Sequence, residues 1–87
     1  MAWALDEFFS SVEEEFGVSI PDDRRELLAT PGMVVDHLLE YSTVASELDE
    51  DDRREHISSV LGELIAQALG ITRYRDDSRF VEDMKVR

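Results

Sequence analysis

Several residue types and segments are missing from this chain of 87 residues. It contains no cysteine, which excludes thiol nucleophiles, disulfides and thiolate metal sites together and favours a reducing compartment. No apolar run approaches the ~20 residues of a membrane-spanning helix, and the N-terminal residues lack both the basic and the apolar region of a secretory signal. The sequence therefore predicts a cytoplasmic protein with no membrane partner.

Basic residues are also scarce, since 9 Lys and Arg face 21 Asp and Glu and the formal net charge is −12. A protein that neutralises phosphates needs a basic surface. The charge balance therefore excludes nucleic acids as partners and disfavours anionic membrane surfaces. Catalysis has no support either, because neither histidine is placed beside a serine and an orienting acid. We expect no enzyme activity.

Apolar residues recur at three- and four-residue steps along most of the chain, which is typical of amphipathic helices. Thr30 before Pro31 is a helix start signal, and Gly17 and Gly70 are candidate C-caps. A short chain with 43% hydrophobic residues packs a core most efficiently from helices. We therefore expect one domain over 1–87 that is all-α, a small three- to four-helix up-and-down bundle, with firm helices at 3–16, 31–41 and 53–69 and a short helix at 21–28.

Residues 42–54 move from small side chains to a run of acids, which predicts a solvated linker. The run lacks the central glycine of a calcium-binding loop, and each histidine lacks a second one at ligand spacing, so we expect no metal site. His37 is expected on the boundary face of its helix, between the apolar and the polar side, and His56 in the first turn of its helix. Residues 71–87 predict a long loop with four apolar anchors, Ile71, Phe80, Val81 and Met84.

Two parts of the chain carry the motifs of one family in reversed order. Residues 12–22 read Val-Glu-Glu-Glu-Phe-Gly-Val-Ser-Ile-Pro-Asp and residues 30–38 read Thr-Pro-Gly-Met-Val-Val-Asp-His-Leu, and they resemble the second half of an acyl carrier protein. Residues 57–71, Ile-Ser-Ser-Val-Leu-Gly-Glu-Leu-Ile-Ala-Gln-Ala-Leu-Gly-Ile, are similar to that family's first helix, and residues 77–84 to the loop before its attachment site. The order implies a circularly permuted, acyl-carrier-like fold in which the 42–54 linker joins the two halves.

The resemblance also locates the family's chemistry. Acyl carrier proteins attach 4′-phosphopantetheine to a serine at the junction before their second helix, and here that position falls on Ala2. Alanine has no hydroxyl for the phosphodiester, so the resemblance implies a protein without this cofactor. Ser78, the one serine that follows an aspartate, is the alternative attachment residue. It lies in the part that matches the upstream loop, and a local bond to the backbone is the simpler interpretation.

In the same family, the helix equivalent to 3–16 is the recognition helix, whose carboxylates meet basic patches on partner enzymes. The resemblance thus implies partner binding by Glu7, Ser10, Ser11, Glu13 and Glu14, whereas a merely solvated helix face is the alternative. The implied partners are basic protein surfaces, including acyl-chain-processing enzymes of fatty-acid or polyketide-type biosynthesis.

The expected function is that of a non-catalytic, acyl-carrier-like protein that acts through protein–protein contacts. The alternative is a functioning carrier protein that is modified with 4′-phosphopantetheine at Ser78 or another serine. A third possibility concerns assembly, because the 42–54 linker would permit a domain-swapped dimer in place of a monomer.

Five aromatic and methionine side chains have two interpretations: Phe8, Phe9, Met33, Phe80 and Met84. The core of acyl carrier proteins can admit a bound acyl chain, so the resemblance allows these side chains to line a channel. Core packing explains their spacing fully, so we expect them to be core residues. Trp3 either caps the core or lies exposed as an interface anchor.

Overall fold

The computed structural model describes residues 3–80 and 82, and for Trp3 it describes only the backbone. Four helices lie within these residues. They are α1 (Trp3–Phe16), α2 (Asp22–Leu27), α3 (Pro31–Tyr41) and α4 (Glu50–Leu69). These residues contain no strand, and none of their helices is long and apolar enough to cross a membrane. The prediction of a small all-α helical bundle is confirmed.

The predicted helix ends coincide with recognisable caps. The Thr30 hydroxyl accepts a hydrogen bond from the Met33 N–H at 3.2 Å, and Pro31 occupies the first helical position, where its missing N–H would be unpaired in any case. Gly17 and Gly70 have φ values of 64° and 69°, a left-handed conformation that glycine adopts without a Cβ clash. α1, α2 and α3 therefore lie within one residue of their predicted bounds.

The acidic run differs from the prediction of a linker over 42–54, because it enters α4 three residues before the predicted start at 53. The Asp49 side chain accepts a hydrogen bond from the Asp52 N–H at 2.9 Å and so caps the helix. The three residues after Asp49 are all acidic and interact favourably with the positive end of the helix dipole. The connector between α3 and α4 is therefore shorter than predicted and comprises residues 42–49.

The core lies where α4 packs against both α1 and α3. Three aromatic rings meet there, with centroids 5.3 to 6.3 Å apart, and one of them, Phe80, comes from the segment after α4. The buried apolar residues form one cluster, which consists of Phe8, Phe9, Val12, Phe16, Ile20, Leu28, Val34, Val35, Leu38, Ile57, Leu61, Ile65 and Phe80.

The expectation of core packing is confirmed for Phe8, Phe9 and Phe80, which are buried. It is wrong for Met33, which is 46% exposed. Ile71 is partly buried against the core, as expected of an anchor. The predictions for Val81, Met84 and the Trp3 side chain lie outside the described residues.

The segment after α4 docks on the start of α3 through its backbone. The Gly32 N–H donates to the Asp76 carbonyl and the Phe80 N–H donates to the Ala29 carbonyl, both at 2.9 Å. A Cβ on Gly32 would lie only 2.9 Å from the Asp76 oxygen, so this approach requires glycine. These bonds and the buried Phe80 ring fix the segment beside α1, α2 and α3.

The two histidines differ in their exposure. His37, which is predicted on the boundary face of its helix, lies on the buried side of α3 with 8% of its surface exposed. His56 lies in the second turn of α4 and is exposed, because Asp49 starts that helix earlier than its apolar periodicity indicates.

Candidate protein-binding surface

The outward side of α1 brings together four of the predicted partner-binding residues, Glu7, Ser10, Ser11 and Glu14. Their spacing of three and four residues places them on one side of the helix. Ser11 is half-buried and the other three are exposed, and a shallow depression is lined by Asp6, Glu7, Ser10 and Ser11. We refer to Glu7, Ser10, Ser11 and Glu14 as the α1 acidic face.

The charge of this face is not neutralised within the described part of the chain. α1 contains no basic residue, and no ion pair among the described residues involves Glu7 or Glu14. The opposite side of α1 carries the buried Phe8, Val12 and Phe16, which hold the helix on the core. The apolar side thus fixes the orientation in which the acids face solvent.

Glu13 differs from the other predicted site residues because both of its oxygens are engaged within the chain. Its Oε2 accepts the Ile20 N–H at 2.7 Å, and its Oε1 accepts a hydrogen bond from Arg25 Nη2 at 2.9 Å in an ion pair. The carboxylate therefore secures the turn after α1 and holds α2 beside α1. Its predicted role in partner binding stays a prediction, and its structural role is the one that these contacts explain.

Arg25 in α2 is the centre of these contacts, and sequence patterns do not single it out. Besides this ion pair, its Nε donates to the Ile20 carbonyl at 2.8 Å, and its Nη1 lies 3.5 Å from Asp6 Oδ1. Its guanidinium carbon lies 5.7 Å from the centre of the Phe9 ring, within the range of a cation–π interaction. The one available signal was the Arg24-Arg25 pair, which follows a helix whose charged residues are all acidic.

A cleft of about 710 Å³ opens next to Arg25, between α1, α2 and the segment around Phe80. Its apolar lining among the described residues consists of Leu5, Phe9, Leu28, Ala29 and Phe80. Sequence reasoning missed this cleft because its walls come from three separate parts of the chain. Helical periodicity shows which residues turn inward, but it does not show where packed elements leave a gap.

His37 is the one histidine with a core environment. Its ring lies 4.6 Å from the Tyr41 ring, and its Nε2 has no hydrogen-bond partner among the described residues. Burial lowers the pKa of His37, the charge of Arg24 lowers this pKa further, and Glu40 opposes both effects. No group of three His, Cys, Asp or Glu side chains in the described ranges is arranged to hold a metal ion.

Ser78, the alternative attachment residue, belongs to a tight turn. Its Oγ accepts the Arg75 N–H at 2.9 Å, and its own N–H donates to the Arg75 carbonyl at 3.0 Å. The hydroxyl thus makes the local backbone bond that the sequence suggests. Ala2, the position to which the resemblance assigns the attachment site, lies outside the described residues, and its side chain has no hydroxyl.

No protein-family model matches this chain, and neither does a curated protein or a solved structure. The resemblance to acyl carrier proteins therefore depends on the motifs between 12 and 38 and between 57 and 84.

Proposed function

We propose that this protein is a non-catalytic, acyl-carrier-like module of the cytoplasm that acts through contacts between the α1 acidic face and basic surfaces of other proteins. The observation that carries this proposal is the exposure of Glu7 and Glu14 on one side of α1, with no ion pair to either of them among the described residues. Complementary charge speeds encounter and selects partners. A chain with a net charge of −12 is suited to that mode of binding.

The carrier-like part of the proposal is supported by the order of motifs and helices. α1, α2 and α3 cover the residues that resemble the second half of the family, and α4 covers most of those that resemble its first helix. We propose that the two halves of the carrier fold are circularly permuted in this chain and that the 42–49 connector joins them. Acyl-chain-processing enzymes are the partners that this resemblance favours.

The proposal leaves out the 4′-phosphopantetheine of the family. Ala2 has no hydroxyl to form the phosphodiester, and the Ser78 hydroxyl accepts the backbone N–H of Arg75. Ala2 thus cannot hold the group, and the Ser78 hydroxyl is engaged in a local turn. Binding of partners, without transfer of an acyl chain, is the activity that we assign to the module.

The test is reversal of charge on the α1 acidic face. We expect Glu7→Lys combined with Glu14→Lys to weaken binding to a basic, carrier-interacting enzyme by about tenfold at low salt. The helix should persist, because lysine is as good a helix former as glutamate. Binding is measured by titration calorimetry or surface plasmon resonance, and helix content by circular dichroism.

The matched control is Glu55→Lys combined with Glu63→Lys, which changes two exposed glutamates of α4 and alters the net charge equally. We expect this control to bind within about twofold of the parent protein, and the loss caused by the α1 variant to shrink at high salt, because screening weakens exposed charges. Equal losses in both variants, or none in either, would show that the acidic helix is only a solvated face.

A further inference from the structure

The cleft between α1, α2 and the segment around Phe80 combines an apolar floor with an acidic rim. Its apolar lining comprises the partly exposed Leu5 and Ala29 and the nearly buried Phe9, Leu28 and Phe80. Its volume of about 710 Å³ falls in the range of ligand-binding clefts. The Phe9 and Phe80 side chains are fixed in the core, so the floor exists before a ligand binds. Such a floor favours an apolar group.

The charged residues at the rim of the cleft restrict which molecules can place an apolar group in it. Among the described residues, four carboxylates and two guanidiniums line the cleft: Asp6, Asp22, Glu26, Glu82, Arg25 and Arg79. Arg25 is paired with Glu13 and lies close to Asp6, and Arg79 lies 3.4 Å from Glu82. The excess of carboxylates disfavours anionic ligands and complements basic ones.

The cleft is continuous with the α1 acidic face. Asp6 lines the cleft and also lines the shallow depression formed with Glu7, Ser10 and Ser11. A ligand that places an apolar group in the cleft and positive charges over Asp6 is thus brought directly onto the face proposed to bind partners. A polypeptide segment can present both features at once, since an apolar side chain can be flanked by lysines or arginines.

We propose that the cleft is an anchor site for a basic polypeptide segment of the partner, which inserts one or two apolar side chains between α1 and α2 while its flanking cations meet the rim carboxylates. This inference rests on the proposed function and adds a specificity element to it. Charge on α1 attracts basic surfaces in general, whereas the cleft selects those that present an apolar side chain at the right place.

The inference is tested with two synthetic probes of equal charge, the amides of Lys-Lys-Leu-Leu-Lys-Lys and Lys-Lys-Ser-Ser-Lys-Lys. Each is titrated into the full ¹⁵N-labelled chain, and amide shifts are followed by NMR. We expect the leucine peptide to bind about tenfold more tightly, because it buries apolar surface. Its shifts should include Leu5, Phe9 and Leu28, and those of the serine peptide should be confined to the α1 acidic face.

Two variants separate the rim from overall charge. Glu26→Lys changes a rim carboxylate, and Glu63→Lys makes the same exchange at an exposed residue of α4 that does not line the cleft. We expect Glu26→Lys to weaken the leucine peptide by about fivefold and Glu63→Lys by less than about twofold, since screening limits distant charges.

Three results would overturn the inference, and they point to different causes. Equal binding of both peptides to the α1 acidic face, without shifts at the cleft, would remove the anchor site and leave the proposed function standing. Absence of binding by either peptide would remove the proposed function and the anchor site together. If both peptides bind equally and 1-octanol alone shifts the amide signals of the cleft residues, the cleft receives a small apolar ligand and not a peptide side chain.

Discussion

The imidazole of His37 is buried in α3, and burial together with the charge of Arg24 lowers its pKa, against a smaller opposing effect of Glu40. Unfolding exposes the ring and returns its pKa to the ordinary value of about 6.5. At and below that pH, His37 is therefore protonated to a larger extent in the unfolded chain than in the folded one. The contribution of His37 to stability is complete above the unfolded pKa and is lost as the pH falls towards the lowered folded value.

We expect His37→Gln to abolish this part of the pH dependence. The free energy of unfolding, measured by urea denaturation at a series of values from about pH 7.5 to about pH 5.5, should fall more steeply on acidification in the parent protein than in the variant. His56→Gln is the matched control, because His56 is exposed on α4, and it should keep the steep profile. Parallel profiles for the parent protein and His37→Gln would contradict this account.

At the scale of helices and their connections, Arg53 joins α3, the 42–49 connector and α4. Its Nη1 donates to the Leu39 carbonyl at 2.9 Å, its Nε donates to the Val44 carbonyl at 3.1 Å, and its Nη2 donates to the Ser42 carbonyl. The last carbonyls of a helix have no partner within the helix. The forked guanidinium of Arg53 donates to such carbonyls at the end of α3 and to one in the connector. The connector is tied to α4 and is not the freely solvated linker that its composition indicates.

We expect Arg53→Lys to lower the free energy of unfolding by about 1–3 kcal/mol, since an ammonium group cannot reach three carbonyls in this fork geometry and leaves some of them unpaired. Arg54→Lys is the control, because the ion pair of Arg54 with Asp36 is largely exposed, and pairs of this kind contribute less than ~1 kcal/mol. Both values come from urea denaturation. An equal effect of the two substitutions would contradict the role of Arg53.

Sequence periodicity predicts the helices of the whole molecule because it depends on neighbours three and four residues apart. The caps at Thr30 and Gly70 are local in the same sense, and they define the predicted ends of α3 and α4. The exposure of Glu7 and Glu14 follows from the same helical periodicity. These features need no knowledge of how the helices pack.

Other features depend on contacts between distant parts of the chain. Glu13 and Arg25 meet across twelve positions, and helical spacing indicates the side on which a carboxylate lies but not its partner. Asp49, Asp51 and Asp52 are all able to cap a helix, so the start of α4 depends on where the connector leaves α3. The cleft depends on α1, α2 and the segment around Phe80 together.

Our central proposal for the whole molecule is that a helical bundle resembling acyl carrier proteins functions without the prosthetic arm of those proteins. Mass spectrometry of the intact chain tests this claim most directly, after incubation with coenzyme A and a broad-specificity phosphopantetheinyl transferase under conditions that fully convert an ordinary acyl carrier protein. Ala2→Ser serves as a companion variant, because a gain of mass there would support the proposed permutation and its assignment of the attachment position to residue 2. We predict an unchanged mass for the parent chain; an added phosphopantetheine that disappears in Ser78→Ala would contradict the claim and make the protein a functioning carrier.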